Sequence, residues 1–218
     1  MKKNILFYAL LVLFVFSCTS DSNSDGSNMD DDTPPAPATT QIPDAAFEQA
    51  LIDLSFDDEI DGEVLNSQIQ VVVNLNVDDK GITDLTGIKN FTKLENLSVR
   101  NNQLTNLDVS SMNTIKFIWA EDNALESLNL GGLTILEKVG ADRNALVTLS
   151  VTENQALQFL TLSSNELVSI DVSTNNALTD FTVVDNPLNC ILVNQNQLND
   201  IPVDWSKDEE DSYALDCE

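Results

Sequence analysis

From Leu94 to Leu188 the chain repeats one pattern of apolar and polar positions every 21 residues. In one copy the apolar frame is Leu94, Leu97, Val99, Leu104, Leu107 and Val109; three copies later it is Leu157, Leu160, Leu162, Leu167, Ile170 and Val172. Within each copy the alternation of Leu97, Ser98 and Val99 predicts a short strand with Leu and Val pointing inward and the residue between them outward. A unit this short cannot bury its apolar face alone, so the repeat predicts a solenoid whose stacked coils pair their strands in parallel, about 4.8 Å apart. One polar residue is locked into the frame: Asn102, Asn123, Asn144, Asn165 and Asn186. It follows the strand where the chain turns, where its amide can donate to and accept from backbone groups that no strand pairing satisfies. That makes it a structural ladder, each member worth about 1–3 kcal/mol, and Asn144→Ala is expected to destabilise far more than Asn101→Ala.

The ends of the repeat differ from its middle, as terminal coils do. Val72, Leu75, Val77, Ile82 and Leu85 form a first coil that is one residue longer and has Lys80 in the asparagine's place. Upstream, Asp44 is a good N-cap, and Phe47, Ala50, Leu51 and Leu54 recur at helical spacing. This short amphipathic helix and the segment after it read as an N-terminal cap over residues 42–71. Repeats follow over 72–197 in about six coils of 21–22 residues, and a C-terminal cap over 198–218. In that cap Leu198, Ile201 and Val203 suggest a last strand before Trp205, and the acidic run from Asp208 to Asp211 reads as a solvated turn.

The frame LxxLxVxxNxL resembles the leucine-rich repeat family over residues 72–193. The resemblance implies an α/β-type repeat solenoid with its parallel sheet on the concave face, and a role as a binding scaffold, most often for proteins. The segment IPDAAFEQALIDL with the later DLTGI, and the terminal NPLNC…DWSKDEEDSYALDC, are similar to leucine-rich-repeat lipoproteins of the Bacteroidetes.

The first residues support export. Lys2 and Lys3 precede an apolar run from Ile5 to Phe16, too short to span a bilayer but the length of a signal-peptide core, so residues 1–17 read as a signal peptide. Val15-Phe16-Ser17-Cys18 resembles a bacterial lipobox, which implies that Cys18 becomes the lipidated first residue of a membrane-anchored protein. An ordinary secretory signal with a spare thiol is the other reading. Of the three cysteines, Cys190 and Cys217 remain; they lie near the C-terminal edge of the repeats, where they can pair in an oxidising compartment. Residues 18–41 combine Ser, Asn and Asp with Thr33, Pro34, Pro35, Ala36 and Pro37 and read as a disordered tether. Its acidic start resembles the region that directs Bacteroidetes lipoproteins to the cell surface. The expected location is the bacterial outer membrane, on the cell surface.

Because the inward positions are occupied by the frame, function is expected in the outward columns of the strands. One column reads Asn96, Phe117, Lys138, Phe159, Asp180; the next Ser98, Trp119, Gly140, Thr161, Thr182; a third Arg100, Glu121, Asp142, Ser163, Val184. Phe117, Trp119 and Phe159 are then three rings facing solvent on a polar surface, with Gly140 leaving a notch beside Trp119. Exposed aromatic patches rimmed by polar groups mark contact sites. The candidate ligand-binding residues are therefore Phe117, Trp119, Lys138, Gly140, Phe159, Glu121, Asp142 and Arg100. A register shifted by one would instead put the rings in the core. Such a patch suits a protein partner or a glycan, whose apolar face stacks on rings while its hydroxyls meet carboxylates.

Charge and composition exclude more than they assign. A formal net charge of −26 disfavours nucleic acid and anionic surfaces. With no histidine the chain cannot hold a Ser-His-Asp or Cys-His unit or a histidine metal site. Glu121 and Asp142 in one column have the spacing of a retaining glycosidase pair, but an open concave sheet does not desolvate an acid, and Arg100 and Arg143 are at hand to pair with them. Asp57, Asp58, Asp61, Gly62 and Glu63 lack the full spacing of a calcium loop. The expectation is a binding module, with a purely structural spacer as an alternative, not an enzyme, and without cofactor or metal.

Overall fold

The computed structural model describes residues 37–217. The signal peptide, Cys18 and most of the tether lie outside the described residues. The chain winds through seven coils, and each contributes one short strand to a continuous parallel sheet. In chain order these strands are Asn74–Asn76, Asn96–Ser98, Phe117–Trp119, Lys138–Gly140, Phe159–Thr161, Asp180–Thr182 and Asp204–Ser206. We number the coils 1 to 7 accordingly.

The alternation sets the register. Leu75, Leu97, Ile118, Val139, Leu160, Phe181 and Trp205 face inward in one buried row, and their neighbours on either side face outward in columns, with Asn96 opposite Phe117, Phe117 opposite Lys138 and Lys138 opposite Phe159. The asparagines satisfy the turn that follows. Asn144 donates to the carbonyls of Ala120 and Ala141 at 3.0 and 3.1 Å and accepts from the Leu125 N–H at 2.9 Å. Asn102, Asn123, Asn165 and Asn186 repeat that arrangement. The residue before each one, from Asn101 through Asp122, Arg143, Ser164 and Asp185, has φ between 52° and 58°. Lys80, which replaces the asparagine in coil 1, instead reaches Asp53 of the capping helix at 2.8 Å.

On the opposite, convex side the pairing is discontinuous. Asn106–Asp108 pairs with Ser127–Asn129, and Ser169–Asp171 pairs with Cys190–Leu192 and then Tyr213–Ala214. Residues 148–150 of coil 4, between these groups, form no strand, and a cavity of about 240 Å³ opens there, lined by Leu128, Gly131, Ser150, Glu153 and Asn154 among others. A second amide ladder, absent from the sequence reading, begins at this coil. Asn154 donates to the carbonyls of Leu130 and Leu133, Asn175 to Val151 and Asn154, and Gln197 to Val172 and Asn175. In coils 2 and 3 the same position is held by the buried Met112 and Leu133.

Both ends are closed. The helix Ala45–Asp53 is capped by Asp44, whose Oδ1 accepts from the N–H groups of Ala46 and Phe47. A strand Thr39–Gln41, inside the stretch read as tether, pairs antiparallel with Glu63–Leu65. Thr40 is buried there between Asn66 and Asn90. This strand crosses Gly87, which has φ 100° and where a Cβ would come within 2.6–2.9 Å of Ile42, Gln41 and Thr40; only glycine fits. At the other end the last strand is not Leu198–Val203. A helix, Gln195–Asn199, closed by a capping box between Asn194 and Gln197, lengthens the step from Phe181 to Trp205 to 24 residues, and Val203 is 94 % exposed. The strand is Asp204–Ser206, and its Trp205 packs edge-on against Phe181 at 5.3 Å. Cys190 and Cys217 form a disulfide that holds the tail against coil 6. The expected solvated turn at 208–211 is corrected at one residue: Asp211 is buried, and burial and then the negative charges of Asp208 and Glu210 raise its carboxyl above the ordinary range.

Candidate functional site on the concave face

The outward columns place the eight candidate residues together on coils 2 to 5. Phe117, Trp119 and Phe159 stand outside the core as expected, each half-buried rather than fully exposed. The cause is their mutual packing. Trp119 leans across coil 4 and meets Phe159 of coil 5 in an edge-to-face contact, ring centroids 5.8 Å apart. It can do so because coil 4 has glycine at that point: a Cβ on Gly140 would lie 2.8 Å from the indole and 2.6 Å from Glu121 Oε1. The notch expected at Gly140 is therefore filled, by the indole and by a carboxylate.

Two cations lie over the rings. The Arg100 guanidinium is 4.8 Å from the centre of the Trp119 ring, and Lys138 Nζ is 5.8 Å from that of Phe117. Arg100 is fixed from its other side by Glu121, to which it donates through Nε at 2.8 Å and an outer guanidinium nitrogen at 3.1 Å, and these hydrogen bonds to the carboxylate raise the guanidinium pKa further. Arg143 does not join the site. It pairs with Asp122 at the adjoining turn. Lys138 makes no ion pair among the described residues, although five of the other cations do.

Asp142 stands next to Glu121 without a cation of its own. Burial raises its carboxyl above the ordinary range, the Ser163 N–H at 2.7 Å and the Thr161 hydroxyl oppose the rise, and the Glu121 charge adds to it. Glu121 is thus committed to an arginine and Asp142 to the next coil, so the two are used as framework acceptors and not as a facing acid and nucleophile. The acidic cluster at 57–63 is also turned to structure. The buried Glu48, which the sequence reading passed over, accepts from the N–H groups of Asp61 and Gly62 at 2.8 and 2.6 Å. Asp61 accepts from Glu63, and among the described residues no group of three or more acidic, cysteine or histidine side chains has the arrangement of a metal site.

No protein-family model and no curated protein matches the chain. Solved structures do. The functional domain of InlJ from Listeria monocytogenes, which includes a cysteine ladder, superposes with a TM-score of 0.63 at 27 % identity, over 73 % of this chain and 39 % of that one. Internalin C2 of the same species superposes with a TM-score of 0.52 at 16 % identity, over 83 % of this chain and 92 % of that one. The chain thus spans well under two thirds of the InlJ structure. The fold is the leucine-rich-repeat solenoid of the internalins.

Proposed function

We propose that this chain is a lipid-anchored, cell-surface binding module that holds a protein partner on its concave face, around Phe117, Trp119 and Phe159. The observation that carries the reading is the cation-lined aromatic strip itself. Its three rings lie outside a core that is already complete, on a sheet whose backbone pairing and turns are satisfied without them. The internalin-like fold supports a protein-interaction role. For a glycan, the second candidate, the arrangement is less suitable, because Arg100 and Lys138 lie over the rings on which a sugar would stack. Anchoring through Cys18 and display on the outer membrane rest on the leader sequence.

The test is capture from envelope extract and from a glycan array, comparing wild type with the double variant Phe117→Ala, Trp119→Ala. The expected result is one protein captured by wild type and lost by the variant while the fold is retained. Retention by both variants, or capture of glycans alone, contradicts the reading. The anchor is tested separately by labelling with radioactive palmitate, which Cys18→Ala should abolish.

A further inference from the structure

The concave face changes character beyond Phe159. In the earlier coils it holds Arg100 and Lys138. In coils 6 and 7 its outward strand residues are Asp180 and Thr182, then Asp204 and Ser206, with no cation among them. The register sets Asp180 directly beside Asp204 on paired strands. Like charges in that relation repel and weaken the pairing. Neither carboxylate has an ion-pair partner among the described residues; Asp180 accepts from the Thr179 hydroxyl at 2.6 Å, and Asp204 is exposed. The fold does not need the acids, since Phe181 and Trp205 hold the same two strands together from within.

Distance ties this acidic pair to the aromatic strip. Asp180 is one coil from Phe159 in the same column and Asp204 is two, which at about 4.8 Å per coil is about 5–10 Å. An extended chain crossing the coils covers that in two or three residues. We propose, resting on the concave-face reading, that the partner presents a basic segment: an apolar or aromatic side chain packs against Trp119 and Phe159, and a lysine or arginine two or three residues along sits between Asp180 and Asp204. A formal net charge of −26 draws such a segment in and opposes an acidic one. The incoming cation also relieves a repulsion that the free protein carries.

The experiment measures binding of the full chain to two matched synthetic peptides, each with one tryptophan followed two and three residues later by Lys-Lys or by Glu-Glu. For wild type the lysine peptide should bind about tenfold more tightly at low salt, as two partly exposed ion pairs allow, and the advantage should disappear at high salt. In Asp180→Asn, Asp204→Asn the advantage should fall several-fold, leaving only the part that the overall charge supplies. This variant should melt at or above the wild-type temperature, which separates lost binding from lost fold. Trp119→Ala should weaken both peptides alike. Equal binding of the two peptides by wild type, binding of neither, or a lysine preference undiminished in the double variant overturns the proposal. If the envelope protein is nevertheless lost in Phe117→Ala, Trp119→Ala, the concave face remains the binding site and only its basic partner is wrong.

Discussion

On the concave side seven strands pair without interruption from Asn74 to Ser206, whereas on the convex side pairing lapses in coil 1 and again at residues 148–150. The difference shows how each face is held. Concave strands are fixed by their inward row of buried side chains and by backbone pairing, which leaves most outward residues within the strands without a structural duty. Convex segments are held by polar side chains where strands are missing. In coil 1, Asp44 Oδ2 accepts from the N–H groups of Thr83 and Asp84, and Asp84 accepts from Thr86. In coil 4 the buried amide of Asn154 reaches back to two carbonyls of coil 3. Polar residues are therefore structural on the convex side, whereas on the concave side that role falls to acids just past the strands, such as Glu121 and Asp142, and the outward strand residues are available.

Substitutions can break this comparison in order of expected size. Cys190→Ser opens a link across 27 residues and should cost about 3–4 kcal/mol in chemical denaturation, with the convex strand Tyr213–Ala214 losing amide protection before the concave strand Asp204–Ser206. Next is Asn154→Leu, which restores the apolar residue that coil 3 has at Leu133. It should still destabilise by about 1–2 kcal/mol, because two buried carbonyls lose their donor; a neutral or stabilising result would show that the convex amides are dispensable. Asn144→Ala on the other ladder should cost a similar amount. Asn101 is a poor control for it, since φ of 52° favours asparagine over alanine there; the exposed Asn113 is a better one.

Asp44→Ala should cost about 1 kcal/mol, the usual worth of an N-cap, read as a lowered melting temperature. Burial alone would raise the Asp44 carboxyl, but the hydroxyl and N–H of Thr83, with the N–H groups of Phe47 and Asp84, outweigh it and lower the pKa below 3.8. A lowered folded pKa means that this stabilisation is complete above the unfolded value and is lost as pH falls through the folded one. Wild type and Asp44→Asn should therefore converge in melting temperature only below about pH 4. The smallest effect is expected at Lys138→Ala on the concave face, within about 0.5 kcal/mol of wild type.

Much of this was legible in the sequence because the period is strict. Five asparagines at one interval set the turns, and the Leu-Ser-Val alternation set the outward columns, including the neighbours Phe117, Lys138 and Phe159. The second ladder was harder to see. Asn154, Asn175 and Gln197 replace apolar residues only from coil 4 onward, with a 22-residue last step, so no single letter recurs through the array. The last strand was misplaced because Leu198 and Ile201 look like frame positions, although the capping box at Asn194 and Gln197 signals a helix. At the site, sequence located the rings but not their packing. That Trp119 lies over Gly140 depends on a side chain leaning across a neighbouring coil, which column position does not specify.

The central claim is that the concave strip makes contacts while the rest of the solenoid holds the fold. Its most direct test is a photo-crosslinking phenylalanine analogue placed in living cells at Phe117 or Phe159, and at the exposed Val168 away from that strip. The account predicts one discrete protein adduct from both concave positions and none from Val168. Adducts from Val168 with none from Phe117 or Phe159 would contradict it.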